Sequence, residues 1–132
     1  MAMVTSRLAC AAAVACVLLG ACAVAPTGGL SEVMQRPAER ALLAGLRAYD
    51  DALYADAERE LTKALAIGLV SAKDRAAAHK HLAFIYCTSE RTKPCEGAFR
   101  AARAADLEFA LSRAEAGHPS WGPVYKRIAA GP

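Results

Sequence analysis

The hydrophobic pattern divides the chain into two unlike parts. Residues 8–19 form an unbroken apolar run of 12, and Arg7 is the only charged residue before Cys22. Such a run is too short to cross a bilayer as a helix, which needs about 20 residues, but it has the length of the apolar region of a signal peptide. We therefore predict that residues 1–21 are an export signal, which is removed and forms no part of the fold.

Beyond residue 37, apolar residues recur at the spacing of amphipathic helices. In the first segment Ala41, Leu42, Gly45, Leu46 and Tyr49 fall on one helical face. A stripe of this kind must pack on another element. The next segment repeats it with a stripe that includes Tyr54 and Leu61. The predicted helices cover residues 38–51, 54–67, 75–88 and 94–106.

Start and stop signals accompany these segments. Pro37 and Pro94 suit the first turn of a helix, because proline has no N–H group to leave unpaired there. Gly68 is placed to end the second helix, and Asp74 is expected to cap the third. Residues 22–36, which include Pro26, are predicted to form a flexible tether of about 20 Å reach.

The C-terminal segment contains a second kind of signal. Ser112 and Glu115 have the spacing of a capping box, which opens a short helix. Trp121, Val124, Tyr125 and Ile128 follow, and they are expected to cover the apolar edge of the fourth helix. The alternative for Trp121 is insertion into a pocket of a partner protein.

The two predicted helix pairs repeat each other at a spacing of 38 residues. Small residues recur where the helices of a pair cross, because larger side chains would push the helices apart there. A large apolar residue and an alanine follow in each pair. The matching positions are Gly45 and Ala83, Ala57 and Cys95, Leu61 and Phe99, and Ala64 and Ala102.

This repeat resembles the tetratricopeptide repeat (TPR), whose unit has 34 residues with small and large residues in the same order. The resemblance implies an all-α fold with two TPR-like helix hairpins plus a C-terminal capping segment, over residues 37–130. The longer period places about four extra residues in the connection near residues 69–73. An unrelated four-helix arrangement remains the alternative.

The end of the predicted signal resembles a second known pattern. Leu19-Gly20-Ala21-Cys22 matches the bacterial lipobox, which implies cleavage before Cys22 and acylation of its thiol and new amino group with fatty acids such as palmitate. Ala23 stands where an inner-membrane lipoprotein of enteric-type bacteria has aspartate. The resemblance therefore implies attachment to the outer membrane, on its periplasmic face. The alternative is a chance cysteine after an ordinary signal peptide.

Two further cysteines, Cys87 and Cys95, lie in the mature part. Exported chains meet an oxidising compartment, so we predict a disulfide between them. The alternative is a pair of buried free thiols.

Composition argues against most kinds of chemistry. Without Arg7, 15 basic residues stand against 13 acidic ones in mixed order, which gives no nucleic-acid footprint. His79 and His81 point about 200° apart on a helix and cannot share a metal ion. His118, in a Gly-His-Pro turn, is expected to pair with a backbone carbonyl. We expect no enzyme, no cofactor and no small-molecule substrate.

The TPR resemblance also implies a ligand site, because that family binds its ligands along a groove lined by the first helix of each pair. The residues it places there include Leu42, Leu46, Tyr49, Asp50, Lys80 and Phe84. We expect a protein partner of the cell envelope, held helix-in-groove. The alternative is that Leu42, Leu46 and Phe84 are ordinary core residues.

Two functions follow from these expectations. The first is an adaptor in an envelope assembly such as a secretion system, because the tail also resembles small TPR lipoproteins found with type VI secretion clusters. The alternative is a pilotin or chaperone that escorts an outer-membrane client. An envelope enzyme or metal carrier that uses His79, His81 or His118 would have to take up metal tightly.

Overall fold

The structure is a computed structural model, and it describes residues 36–131. Every regular element in that range is a helix. The predicted all-α fold, two helix hairpins followed by a C-terminal capping segment, is therefore confirmed. The helices are α1 (Pro37–Asp50), α2 (Tyr54–Ile67), α3 (Ala72–Thr88), α4 (Thr92–Ala105), α5 (Arg113–Ala116) and α6 (Gly122–Ala129).

Short loops join α1 to α2 and α3 to α4, so the two helices of each hairpin are antiparallel and pack along their whole length. The loops, residues 51–53 and 89–91, have matching backbones. Ala52 has φ 60° and Glu90, which lies 38 positions later, has φ 61°. The backbone therefore repeats with the period found in the sequence.

Two helix starts differ from the prediction. α3 begins at Ala72, and its N-cap is Ser71, whose Oγ accepts a hydrogen bond of 3.2 Å from the backbone N–H of Asp74. Asp74 was the wrong choice of cap, because it lies in the first turn, where its carboxylate favours the positive end of the helix dipole. α4 begins at Thr92, so Pro94 is its third residue and still falls where backbone N–H groups have no helical partner.

Two other signals are confirmed. Pro37 is the first residue of α1. Gly68 ends α2 with φ 106°, a conformation that side chains with a Cβ rarely adopt. After it, the connection to α3 is fixed by Arg75, whose Nη1 donates hydrogen bonds of 2.8 Å to the carbonyl oxygens of both Leu69 and Val70.

The core lies where the two hairpins and the C-terminal segment meet. Leu61 and Phe99, the large residues of the repeat, are fully buried, as are Ala57 and Cys95 at the two helix crossings. The crossing in the first hairpin is the closer one, because a Cβ placed on Gly45 would lie 2.7 Å from Leu61 Cγ. Contact at this distance explains why the sequence has glycine there.

The C-terminal segment covers the second hairpin as predicted. The capping box is present, since Ser112 Oγ accepts from the Glu115 N–H at 3.2 Å and Glu115 Oε2 accepts from the Ser112 N–H at 2.8 Å. α6 then packs on α4 with the ring of Tyr125 centred 5.2 Å from that of Phe99. Trp121 and Val124 are buried in the same core.

Candidate functional site

Six ring side chains form a continuous series of contacts across α1, α2, α3 and the C-terminal segment. We call this series the aromatic row. Neighbouring ring centroids lie 5.6 Å apart from Tyr54 to Tyr49, 5.0 Å from Tyr49 to His81 and 5.9 Å from His81 to Phe84. Phe84 then stacks on Trp121 at 4.1 Å, and Trp121 on His118 at 3.3 Å.

Burial changes along the row. Phe84 is 4% exposed and Trp121 8%, so the middle of the row belongs to the core. At the other end Tyr54 is 49% exposed, and its neighbour Leu53 is 54% exposed. We call Leu53 and Tyr54 the tip patch, since they lie where the first hairpin turns. The row thus connects an accessible apolar surface to the core.

Local structure explains these positions. His81 and Phe84 are three residues apart on α3 and therefore share a face. Tyr49 is the second-last residue of α1, and Tyr54 begins α2 after the turn at Ala52. The turn brings the two tyrosines together edge to face, an arrangement that aromatic rings favour.

The row has charged neighbours. Lys80 Nζ donates to Glu115 Oε1 at 2.7 Å and lies 5.8 Å from the centre of the Phe84 ring. Burial alone would raise the pKa of Glu115, but hydrogen bonds from Lys80 and Ser112 outweigh it, so this pKa lies below its ordinary value. Burial, together with the charges of Asp50 and Glu115, raises the pKa of Tyr49.

Burial also lowers the pKa of His81. Its Nδ1 lies 2.8 Å from the carbonyl oxygen of Ala77, so this nitrogen donates the hydrogen bond and carries the proton of the neutral ring. The imidazole is therefore held neutral and edge-on to Tyr49. It acts in the row as an aromatic ring.

The predicted partner-binding residues separate into two groups. Tyr49, Lys80, Phe84 and Trp121 come together around the aromatic row. Leu42 is 5% exposed and lies in the core, the alternative that the sequence left open for it and for Phe84. Leu46 packs partly buried against that core, and Asp50 is exposed at the end of α1. Binding by any of these residues stays a prediction.

The sequence did not identify the tip patch. Tyr54 was assigned to the buried stripe of the second helix, yet about half of its surface is exposed. Its position at the first residue of α2 was the available signal, because a residue at a hairpin turn has fewer neighbours than one in mid-helix. For His81 the sequence predicts only that it cannot share a metal ion with His79, although its spacing to Phe84 indicates a shared face.

His118 differs from its prediction. Its Nδ1 accepts a hydrogen bond of 3.2 Å from the backbone N–H of Ser120, where a bond to a carbonyl was expected. The His118 ring also stacks on that of Trp121, whose Nε1–H donates to the Glu115 carbonyl oxygen at 2.8 Å. Within residues 36–131, no three His, Cys, Asp or Glu side chains gather as a metal site.

The predicted disulfide is present. Cys87 near the end of α3 is bonded to Cys95 near the start of α4, with Cα atoms 5.2 Å apart. Cys95 is fully buried. The bond therefore links α3 to α4 at the tip of the second hairpin, and its Cys95 end lies in the core.

The predicted signal peptide, Cys22 and nearly all of the predicted tether lie outside the described residues. In the part that the structure describes, no helix combines the length and apolar character that a membrane span requires. Comparison with protein-family models, curated proteins and solved structures gave no match for this chain.

Proposed function

We propose that the protein is a lipoprotein, anchored through acylated Cys22 to the periplasmic face of the outer membrane, and that it serves as an adaptor for another envelope protein. The lipobox sequence supports the anchor. The Cys87–Cys95 bond supports export, because such bonds persist in oxidising compartments and are rare in reducing ones. The fold supports recognition, because paired helices present rigid surfaces to partners.

The tip patch is the observation that carries the adaptor proposal. Two large apolar side chains, Leu53 and Tyr54, are about half exposed on a turn that the aromatic row connects to the core. Tyrosine is enriched among the residues that contribute most of the binding energy at protein interfaces. Asp50 and Asp51 are exposed beside them. The partner that fits offers an apolar side chain flanked by lysine or arginine.

The resemblance of the sequence to TPR lipoproteins supports a role for this adaptor in an envelope machine, for which a type VI secretion system is the first candidate. A pilotin or chaperone would use the same patch differently, because it would hold its client only in transit. The two functions differ in one measurable respect: an adaptor stays in the finished assembly.

Position-specific photo-crosslinking in intact cells tests the adaptor. A photoreactive phenylalanine analogue replaces Tyr54 in the full-length protein, and the control carries it at Thr92, which is exposed 38 positions later in the second hairpin. We expect one envelope protein to be cross-linked from position 54 and not from position 92. Equal products from both positions, or none from position 54, would overturn the proposal.

The anchor is tested separately by mass spectrometry of the mature protein, with Cys22→Ser as the matched variant. We expect fatty acids on residue 22 of the parent chain and none on the variant. Persistence of the cross-linked partner in the purified assembly supports the adaptor. A client that is cross-linked only before its insertion, and mislocalised when the gene is deleted, supports the pilotin.

A further inference from the structure

The large apolar residues most exposed in the described range occur in two groups. Leu53 and Tyr54 form the tip patch. Ile67 is 46% exposed, Val70 75% and Leu107 94%. Because the hairpins are antiparallel, the end of α2, the start of α3 and the end of α4 all lie at the end of the stack opposite the tip patch. We call Ile67, Val70 and Leu107 the base patch.

Hydrogen bonds hold the base patch in place. Arg75 binds the carbonyl oxygens of Leu69 and Val70, which fixes the turn that carries Val70. Asp106 fixes the turn that carries Leu107, because its Oδ1 accepts from the Glu108 N–H and its carbonyl oxygen accepts from the Phe109 N–H, both at 3.0 Å. Two apolar side chains are thus presented outward on pinned turns.

The repeat shows that this exposure is specific to one position. Leu69 and Leu107 occupy the same place in the two hairpins, 38 residues apart, yet Leu69 is 4% exposed and Leu107 94%. Burial of a leucine side chain among apolar atoms is more favourable than leaving it in water. The fold gains this stabilisation at Leu69. The side chain of Leu107 stays in water, from which it can enter an apolar phase outside the protein.

The place from which the chain continues toward Cys22 indicates that this apolar phase is a bilayer. The described chain begins at Arg36, directly before α1, and the start of α1 lies at the same end as the base patch. The sequence has 14 residues between Cys22 and Pro37, and a random coil of that length spans about 20 Å, so a bilayer that holds the Cys22 lipid is within reach of this end. The opposite end is farther away by the length of α2, about 20 Å.

We propose that the base patch docks into the interfacial layer of the membrane that holds the lipid anchor; this rests on the proposed lipidation of Cys22. Val70 and Leu107 enter the boundary between headgroups and acyl chains, at the depth of about 5 to 10 Å where interfacial apolar groups lie. Docking turns the tip patch away from the bilayer. The lipid anchor limits the distance between the protein and the bilayer, and the docked base patch sets the orientation of the protein.

Tryptophan quenching in vesicles tests the docking. The full-length mature lipoprotein with Val70→Trp is reconstituted into phosphatidylcholine vesicles that contain lipids brominated on their acyl chains, and Tyr54→Trp is the control at the other end. Trp121 is the only native tryptophan, so the parent protein supplies the constant background. We expect quenching at position 70 to exceed that at position 54 by about two-fold or more, since quenching requires contact with the acyl region. Leu107→Trp repeats the measurement if Val70→Trp does not fold.

Vesicle flotation and mass spectrometry of Cys22 separate the possible failures. An acylated protein that floats with the vesicles but shows equal or no quenching at both positions overturns the docking and leaves the adaptor standing. Cross-links between two copies through position 70, with no quenching, also overturn it, because the base patch would then be a dimer surface. A chain without fatty acid that does not float overturns the anchor and the docking with it.

Discussion

The two hairpins follow the same backbone path but are held together by different side chains. In each, the residue that follows the turn residue with positive φ donates an equivalent backbone hydrogen bond. The N–H of Leu53 reaches the Ala48 carbonyl at 2.8 Å, and the N–H of Arg91 reaches the Tyr86 carbonyl at 2.8 Å. A backbone repeat therefore does not require a repeat of the contacts that stabilise it.

The contacts differ at the crossings and at the tips. The first hairpin relies on the close approach of Gly45 to Leu61, whereas the second has Ala83 and the disulfide. Cys87 and Cys95 occupy the positions that Tyr49 and Ala57 have in the first hairpin. The covalent bond closes one tip, and the aromatic row and tip patch occupy the other. The first tip thereby keeps two exposed apolar side chains, Leu53 and Tyr54.

The cover of the second hairpin should give the largest effect. Trp121→Ala removes the ring stacked on Phe84 and the hydrogen bond to the Glu115 carbonyl. We expect unfolding in urea to show a loss of about 3 kcal/mol, the lower end for removal of a buried aromatic ring. His118→Ala, which removes the outer ring of the stack and the exposed hydrogen bond from the Ser120 N–H, is the control and should cost well under half as much. Equal losses would show that Trp121 is not the main contact.

The disulfide comes next. Cys87→Ala with Cys95→Ala should lower the free energy of unfolding by about 2.5 kcal/mol, the value expected for the release of so short a loop from the unfolded chain.

The first hairpin supplies a test of the comparison itself. Cysteines introduced at Tyr49 and Ala57 should oxidise to a second disulfide, which mass spectrometry detects, because the backbone there is the same. Failure of that bond to form would mean that the two tips differ in backbone geometry.

The sequence predicted the elements well and the surfaces poorly. Apolar periodicity gave four helices within three residues of their true ends, because that pattern follows directly from burial of one face. The sequence could not distinguish Ser71 from Asp74 as the N-cap, since both residue types cap well and only the backbone conformation selects one. The tip patch was missed because the exposure of Tyr54 depends on which segments pack over the turn, and periodicity within one helix carries no information about that.

A smaller effect is expected at the point where the two helices of the first hairpin approach each other most closely. Gly45→Ala places a Cβ 2.7 Å from Leu61 Cγ and 3.0 Å from the Leu61 backbone nitrogen, so one helix must move. We expect a net loss of about 1 to 2 kcal/mol in urea unfolding, because overpacking outweighs the better helix propensity of alanine. Gly97→Ala is the matched control. It lies in α4 with nothing within 4 Å of the new Cβ, and it should stabilise by about 1 kcal/mol. Stabilisation by both variants would contradict the close crossing.

The two turns should respond alike. Ala52 and Glu90 are exposed and have positive φ, which costs a residue with a Cβ about 1 kcal/mol relative to glycine. Ala52→Gly and Glu90→Gly are therefore each expected to raise the free energy of unfolding by up to about 1 kcal/mol, less the greater freedom of glycine in the unfolded chain. Thermal unfolding of the two single variants measures it. A gain at one turn and a loss at the other would break the backbone equivalence.

The smallest expected effect is a dependence of the free energy of unfolding on pH, and it arises from the second hairpin. Burial lowers the pKa of His79 and of His81, whereas the first hairpin has Ala41 and Leu43 at these positions. The unfolded chain therefore binds more protons than the fold once the pH falls below about 6.5, so stability decreases from there until the folded-state pKa values are passed. Hydrogen bonds from Arg91 lower the pKa of Glu58, as those from Lys80 and Ser112 lower the pKa of Glu115, and both carboxylates lose their contribution only below about pH 4.5. Urea unfolding between pH 7 and 5 should show the decrease in the parent, and His79→Ala with His81→Leu should flatten it. Because both imidazoles are only partly buried, we expect the change to be smaller than that at either turn, and an unchanged slope in the double variant would assign it to other groups.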